Sequence, residues 1–353
     1  MRRVPVYDRG EAPLRAIRLA LRAGKLGADN PCALLLDVPR LKATVASLLK
    51  AMPPAQGFTH CFAVKSNPLA AVVRLTRECG MGAECASFAE VVHSLRNGHA
   101  PENVVFDSPC KTEKEVLDCL AAGVNLNLDS LAELEAFAPA IKRFFRGLGG
   151  GSGGGGEASA ASVVTDAAAS AAKVARRPVV GLRINPQLGA GDIASTSTAT
   201  KTSKFGIPLS ESRELVLEAF REHAWLAGLH CHVGSQGCAP EMAVRGAAAL
   251  AKLAAEIEAL LPGRVRIVNI GGGLPIDYNC GDGDGASWSF ARYAAALREA
   301  APGLLLADET TGRRRHGWEV RTEFGRKIVQ KCGFIAARVE NTKSAGGRLI
   351  ATW

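Results

Sequence analysis

The sequence predicts an α/β fold: a closed, TIM-like (β/α)8 barrel followed by the start of an incomplete C-terminal β domain. Three observations predict it. Short apolar runs rich in strand formers alternate with amphipathic stretches, about eight times in series, which is the pattern of a parallel sheet. Eight such units within about 250 residues suit a closed barrel, with an open doubly wound sheet as the alternative that periodicity alone leaves standing. The runs also end in polar residues or glycine, and a barrel collects its reacting groups at the C-terminal ends of its strands.

Residues 1–30 read as a leader and a first helix, with Ile17, Leu19, Leu21 and Leu26 at imperfect helical spacing. The barrel is expected over 31–330. Residues 32–37 (CALLLD) read as a short strand. Residues 41–52 read as a helix with Leu41, Val45, Leu48 and Leu49 on one face. Four strand–helix pairs follow: 60–65 with 70–79, 82–87 with 88–98, 104–108 with 112–122, and 124–129 with 130–145. A segment at 147–174, opening GLGGGSGGGG, interrupts the rhythm. A glycine run cannot bury a core, so it reads as a flexible Gly/Ala-rich insertion. The pairs resume with 179–185 and 211–223, 226–233 and 242–261, and 265–270 and 288–301, and the strand 319–323 closes the set. From 331 the character changes. GFIAARV (333–339) and RLIAT (348–352) alternate like antiparallel strands, the opening of a β domain that the chain, ending at Trp353, does not complete.

Composition narrows the function. Of the 353 residues 47% are hydrophobic, enough for a large core, and only 5% are aromatic, too few for a nucleic-acid stacking surface. The formal charge is +9, with a cluster at Arg313, Arg314, Arg315 and His316. No basic stripe interleaved with aromatics accompanies it, so no nucleic-acid partner is expected. The ten cysteines form no CxxC pair, and no metal site is expected from them. Several sit in apolar runs as small hydrophobes, which fits a reducing cytoplasm or organelle stroma or matrix. No apolar run approaches the roughly 20 residues of a membrane span. Arg2, Arg3, Arg9 and Arg15 are mixed with Asp8 and Glu11 and lack a long apolar stretch. No secretory signal is expected, and an organelle transit peptide has weak support.

The chemistry-bearing residues lie at predicted strand ends. CFAVKSNP (61–68) carries Lys65 at the mouth of a buried strand. Dehydration there is expected to lower its pKa, as an amine that attacks a carbonyl requires; a surface lysine just past a strand end is the plainer alternative. Gly271, Gly272 and Gly273 can aim backbone N–H groups at a phosphate, or can be a tight turn. HCHVGSQ (230–236) puts His230 and His232 on one strand face with Ser235 beyond. Two histidines at that spacing could hold a metal, but no further ligand pair is evident, and an imidazole stacked on a flat ligand fits better. Glu323 with Arg326 is either a structural ion pair or a carboxylate facing a ring nitrogen. Glu84, Asp107, Asp129, Arg183 and Asn185 join them at strand ends. A lysine, a phosphate cradle, a stacking histidine and a carboxylate for a ring nitrogen are together what pyridoxal 5′-phosphate requires.

In this order the motifs resemble the barrel-type (fold type III) pyridoxal-phosphate-dependent decarboxylases, the diaminopimelate, ornithine and arginine decarboxylase group. FAVKSN (62–67), LRINP (182–186), SKFG (203–206), HCHVGSQ and NIGGGLP (269–275) carry the resemblance, which runs from about residue 31 to the end apart from the insertion. The GSQ ending is closer to diaminopimelate or arginine decarboxylases, and SPCK (108–111) has the flavour of the ornithine branch. The resemblance implies a Schiff-base role for Lys65, with Glu84 as the acid beside it. It implies ring stacking by His232 and phosphate binding by Ser235, Gly272 and Gly273. It pairs Glu323 with the pyridine nitrogen, and puts Arg326 on phosphate or a substrate carboxylate. It further implies an amino-acid substrate, meso-diaminopimelate converted to L-lysine first among them, and a homodimer. A catalytically impaired or regulatory relative and an ornithine or arginine decarboxylase are the alternatives. The family's usual Glu-Pro-Gly-Arg is Glu323-Phe324-Gly325-Arg326 here. The cysteine, acid and tyrosine groups that the family's C-terminal domain supplies have no counterpart that can be assigned.

Overall fold

A computed structural model of the chain describes residues 11–148, 177–193, 197–278, 288–305 and 317–353. Most of the 147–174 segment, the basic cluster at 313–316 and Cys280 lie outside the described residues. The strands are β1 (Cys32–Leu36), β2 (Phe58–Ala63), β3 (Gly82–Cys85), β4 (Val104–Phe106), β5 (Asn125–Leu128), β6 (Val180–Asn185), β7 (Ile207–Pro208), β8 (Leu226–His230), β9 (Ile267–Asn269), β10 (Glu319–Thr322), β11 (Gly333–Ala337), β12 (Asn341–Ala345) and β13 (Arg348–Thr352). Eight of them pair in parallel in the order β5-β4-β3-β2-β10-β9-β8-β6, and β5 pairs with β6 to close the ring. The barrel that the alternation predicts is therefore the fold. A two-residue β7 branches from β6.

The helices that cover the barrel start where their sequences cap them. Thr112 and Glu115 exchange a capping box at the start of Glu113–Ala122, and Gly123, at φ +84°, ends that helix in the left-handed conformation. Ser87, Ser130 and Ser289 accept from the third residue of their helices. The main core lies between strands and helices, with Leu41, Val45, Leu48, Phe62, Val91, Leu120, Leu126, Phe220 and Leu297 buried in it. Barrel strands are apolar runs because both faces are covered. Their inward positions near the bottom are polar instead. Asn125 donates to the Glu102 carbonyl at 2.8 Å, and Arg321 donates to Glu319 at 2.7 Å and to the Glu102 carbonyl at 2.9 Å.

The short strand expected at 32–37 forms at 32–36 outside the ring of eight, where β1 pairs antiparallel with β11 across Cys32↔Ala337 to Leu36↔Gly333. One expectation about the barrel strands changes. The strand-like ends 64–65 and 231–233 leave the ladder, because β2 turns into a 3-10 turn at Val64–Ser66 and β8 stops at His230. β12 has no apolar run to announce it; it forms a hairpin with β13 in which every residue is exposed. Among the described residues no helix is long and apolar enough to cross a membrane.

One buried group outside the site sets an acid response. His99 is 2% exposed, and burial lowers its pKa from 6.5 to about 4. The folded state then binds fewer protons than the unfolded one between those values. Its contribution is complete above pH 6.5 and is lost as pH falls through 4, by up to about 3 kcal/mol. Urea unfolding at pH 7 and pH 4.5 is expected to show a smaller stability difference in His99→Gln than in the parent; an unchanged difference would remove His99 from the account.

Candidate active site

At the C-terminal mouth of the barrel, Lys65 follows β2 in its 3-10 turn. Ser66 Oγ donates to the Ala63 carbonyl at 2.7 Å and fixes that turn. Register places Glu84 of β3 beside Ala63, so the lysine folds back onto it. Lys65 Nζ donates to both Glu84 oxygens at 2.6 and 2.7 Å. The lysine side chain is 48% exposed and the glutamate 2%. The expected lowering of the lysine pKa is corrected here. Burial does pull it down, but the charge of Glu84, then Glu323, the Glu84 hydrogen bond and Asp107 outweigh burial, and the pKa is raised. The sequence argument placed Glu84, Asp107 and Glu323 at strand ends but weighed only dehydration, and not their summed charge, on the lysine.

Below the lysine, Asp107 follows β4 and accepts from Asn127 at 2.6 Å. Burial lifts its pKa to about 6, against the pull of His230. His230, the last residue of β8, is 1% exposed. Its Nδ1 is 3.4 Å from Asp107 Oδ1 and its Nε2 is 3.2 Å from Glu323 Oε2, yet neither nitrogen completes a hydrogen bond. Burial drops its pKa to about 4. Folding thus favours a proton on Asp107 over one on His230. Glu323, just past β10, is held by its own N–H on the Gly271 carbonyl at 2.8 Å and by Asn269, which donates to Oε1 at 2.6 Å. Burial, then Glu84, raises its pKa.

His232 lies above His230. Its Nδ1 accepts from the Gly272 N–H at 3.3 Å and stands 3.8 Å from Glu323 Oε2. Burial, followed by the charges of Lys65 and Arg183, keeps its pKa well below the usual value, so the ring is neutral at pH 7. The glycines after β9 run close to other backbone. A Cβ on Gly272 would stand 2.1 Å from the Glu323 carbonyl oxygen. One on Gly273, at φ +94°, would stand 1.8 Å from the Gly234 carbonyl oxygen. Arg326 Nε donates to Ser235 Oγ at 3.4 Å, and Nη1 to Tyr278 Oη at 3.3 Å. Phe324, in place of the family's proline, is buried with its ring edge-on to Phe290 and Tyr293. The substitution fills core and leaves Glu323 and Arg326 on either side.

All eight residues singled out from the sequence, Lys65, Glu84, His232, Ser235, Gly272, Gly273, Glu323 and Arg326, gather at this one end of the barrel. Asn269, Asn127 and Tyr278 also belong to the cluster and received no role from sequence. The signal for Asn127 was present, since Asn125, Asn127 and Asp129 repeat with period two on a strand that should be apolar. Arg183 stands 3.5 Å from Asp129 and stacks on the Phe205 ring at 4.6 Å, which gives the SKFG stretch its place beside the site.

The profile of the pyridoxal binding domain of pyridoxal-dependent decarboxylases matches residues 39–146 and 161–330. The chain belongs to this decarboxylase family. Its cofactor is pyridoxal 5′-phosphate. Among family members, the diaminopimelate decarboxylase of Pseudomonas fluorescens is 26% identical over 341 residues, covering 96% of this chain and 70% of the relative. The diaminopimelate decarboxylase of Helicobacter pylori, solved with L-lysine, superposes with a TM-score of 0.71 at 23% identity, over 94% of this chain and 71% of that one. The lysine/ornithine decarboxylase of Vibrio vulnificus, solved with putrescine, gives 0.68 at 20% identity, over 97% and 75%. These two likenesses show the fold. The residues present fit the family's cofactor. The Gly271–Gly273 stretch leaves no room for a Cβ, an arginine and a serine hydroxyl stand together near it, and a buried carboxylate lies across from a lysine.

Proposed function

We propose that this chain decarboxylates meso-diaminopimelate to L-lysine with pyridoxal phosphate held on Lys65. The observation that carries the reading is the convergence of Lys65 with Glu84 at 2.6 Å, and of Glu323 beneath it, at the mouth of a barrel with a glycine cradle. When bound, the cofactor supplies an electron sink for the pair left as the bond to the α-carboxylate breaks. The chain's own residues prepare that. Glu84, hydrogen-bonded through both oxygens, orients the Lys65 amine and stabilises its ammonium until solvent base frees it. The amides of Gly272 and Gly273, with Ser235 and Arg326, would neutralise the phosphate. Glu323, oriented by Asn269, would accept from a protonated ring nitrogen and keep it protonated. The neutral His232 ring is free to stack without adding repulsion.

The substrate follows the names of the relatives. The expected homodimer belongs to the same reading, as does the division into a leader and first helix at 1–30, a barrel at 31–330 and the start of a β domain at 331–353. The test is release of CO2 and formation of lysine from meso-diaminopimelate, run beside ornithine and arginine. Lysine formation supports the reading. Preferential turnover of ornithine or arginine overturns the substrate. No CO2 from any of the three, in a chain loaded on Lys65, favours a regulatory cofactor-binding relative.

A further inference from the structure

The same pocket carries a second kind of ligand set. Among the described residues, His230, His232 and Glu323 bring ligand atoms within 4.8 Å of one another, and Glu84, Asp107 and Glu323 do the same. Lys65 answers the charge of Glu84, and Arg183 is taken by Asp129. Glu323 and Asp107 share a side-chain hydrogen bond beside His230, and both nitrogens of that buried ring lack a hydrogen-bond partner. A protonated pyridine would answer Glu323 in the loaded protein. Without it, a buried carboxylate beside an unpartnered imidazole is a place that a cation stabilises.

We propose that the cofactor-free chain binds one divalent transition-metal ion of the Zn2+ class through His230 Nε2, His232 Nδ1 and Glu323 Oε2, and that metal and cofactor exclude one another. The exclusion rests on the reading that Glu323 faces the cofactor's ring nitrogen; the metal site stands on its own geometry. Tetrahedral zinc with bonds near 2.0 Å separates its ligand atoms by about 3.3 Å. Here Glu323 Oε2 is 3.2 Å from His230 Nε2 and 3.8 Å from His232 Nδ1. Two imidazoles and one carboxylate are a zinc donor set that leaves a fourth position open. Each ligand also has an outer partner of the kind that orients metal ligands. Asp107 Oδ1 lies 3.4 Å from the far nitrogen of His230, Asn269 donates to the other Glu323 oxygen at 2.6 Å, and the His232 ring hydrogen-bonds the Gly234 backbone. His232 Nδ1 gives up only the 3.3 Å contact with the Gly272 N–H. No metal was expected from sequence because the third ligand lies far along the chain, on another strand end.

The test uses the full chain freed of cofactor, with Co2+ as the spectroscopic probe and Zn2+ measured against a chromophoric chelator. The expected result is about one equivalent of Co2+ with a visible ligand-field band and no thiolate charge-transfer band. His232→Gln and His230→Gln should each weaken Zn2+ at least about 100-fold, and pyridoxal phosphate should expel the metal. Circular dichroism checks the fold of each variant, and His232, at 16% side-chain exposure, decides the matter if His230→Gln does not fold. A folded chain that takes up no Co2+ overturns the proposal. So does unchanged Zn2+ affinity in His232→Gln, which would point to exposed thiols such as Cys32 and Cys110. Simultaneous binding of metal and cofactor overturns the exclusion. Borohydride labelling of Lys65 in the metal-free chain is scored separately, so failure of the cofactor reading is distinguishable from failure of the metal site.

Discussion

Lys65→Ala is expected to abolish borohydride-stable attachment of pyridoxal phosphate, read as loss of the mass increment on the peptide that carries residue 65. The parent should show that increment, and a visible absorbance band before reduction. The effect is all-or-none because the bond has one nitrogen to form on. Lys111, a buried lysine near another strand end, is bound to Glu133 at 3.0 Å and to the Ser108 carbonyl at 2.7 Å, so its amine is occupied. Stability should fall as well, because Glu84, at 2% side-chain exposure, is left buried without its cation. Lys65→Arg keeps a cation against Glu84 without a nucleophilic amine, so it should restore the stability and not the label. The raised lysine pKa adds a direction: loading of the parent should quicken as pH rises, because more of the amine is then free. A folded Lys65→Ala chain that still carries the label would remove Lys65 from the site.

Most of the barrel was legible because a parallel strand covered on both faces is written as one apolar run, and eight such runs in series admit few arrangements. Partner choice was not legible. CALLL at 32–36 looks like any barrel strand, and nothing local says that it pairs with Gly333–Ala337 near the other end of the chain. NTKSA at 341–345 was missed because an exposed hairpin strand has no buried face to leave a pattern. The site divides in the same way. VKSN, HCHVGS and GGG are contiguous and were legible as chemistry. The charge state of Lys65 was not, because it is set by Glu84, Glu323 and Asp107 arriving from three strands, and their summed field reverses the effect of burial. Glu323 shows the point again: its partner Asn269 sits at the end of an adjacent strand in the ring, a relation that only closure of the barrel creates.

Gly273→Ala should remove cofactor binding by a different route, and its control is built into the chain. Gly273 has φ +94°, and an added Cβ would stand 1.8 Å from the Gly234 carbonyl oxygen, backbone that cannot swing aside like a side chain. The loop from Gly271 must shift, and with it the N–H groups expected to hold the phosphate. Loss of even one charge-assisted hydrogen bond to a phosphate is worth about 1.5–3 kcal/mol. Two displaced amides should therefore weaken cofactor binding by at least about 100-fold. Gly263 has nearly the same backbone, φ +76°, with nothing within 4 Å of its added Cβ. Gly263→Ala thus carries the left-handed strain alone, about 1 kcal/mol, in a turn at the opposite end of the barrel. Both variants should lose some thermal stability, and only Gly273→Ala should lose affinity for pyridoxal phosphate by fluorescence titration. Equal affinities in the two would mean that the glycines are a turn and that the phosphate is held elsewhere. A loss confined to Gly273→Ala would separate the close backbone approach, which serves the ligand, from the conformational freedom that any glycine turn needs.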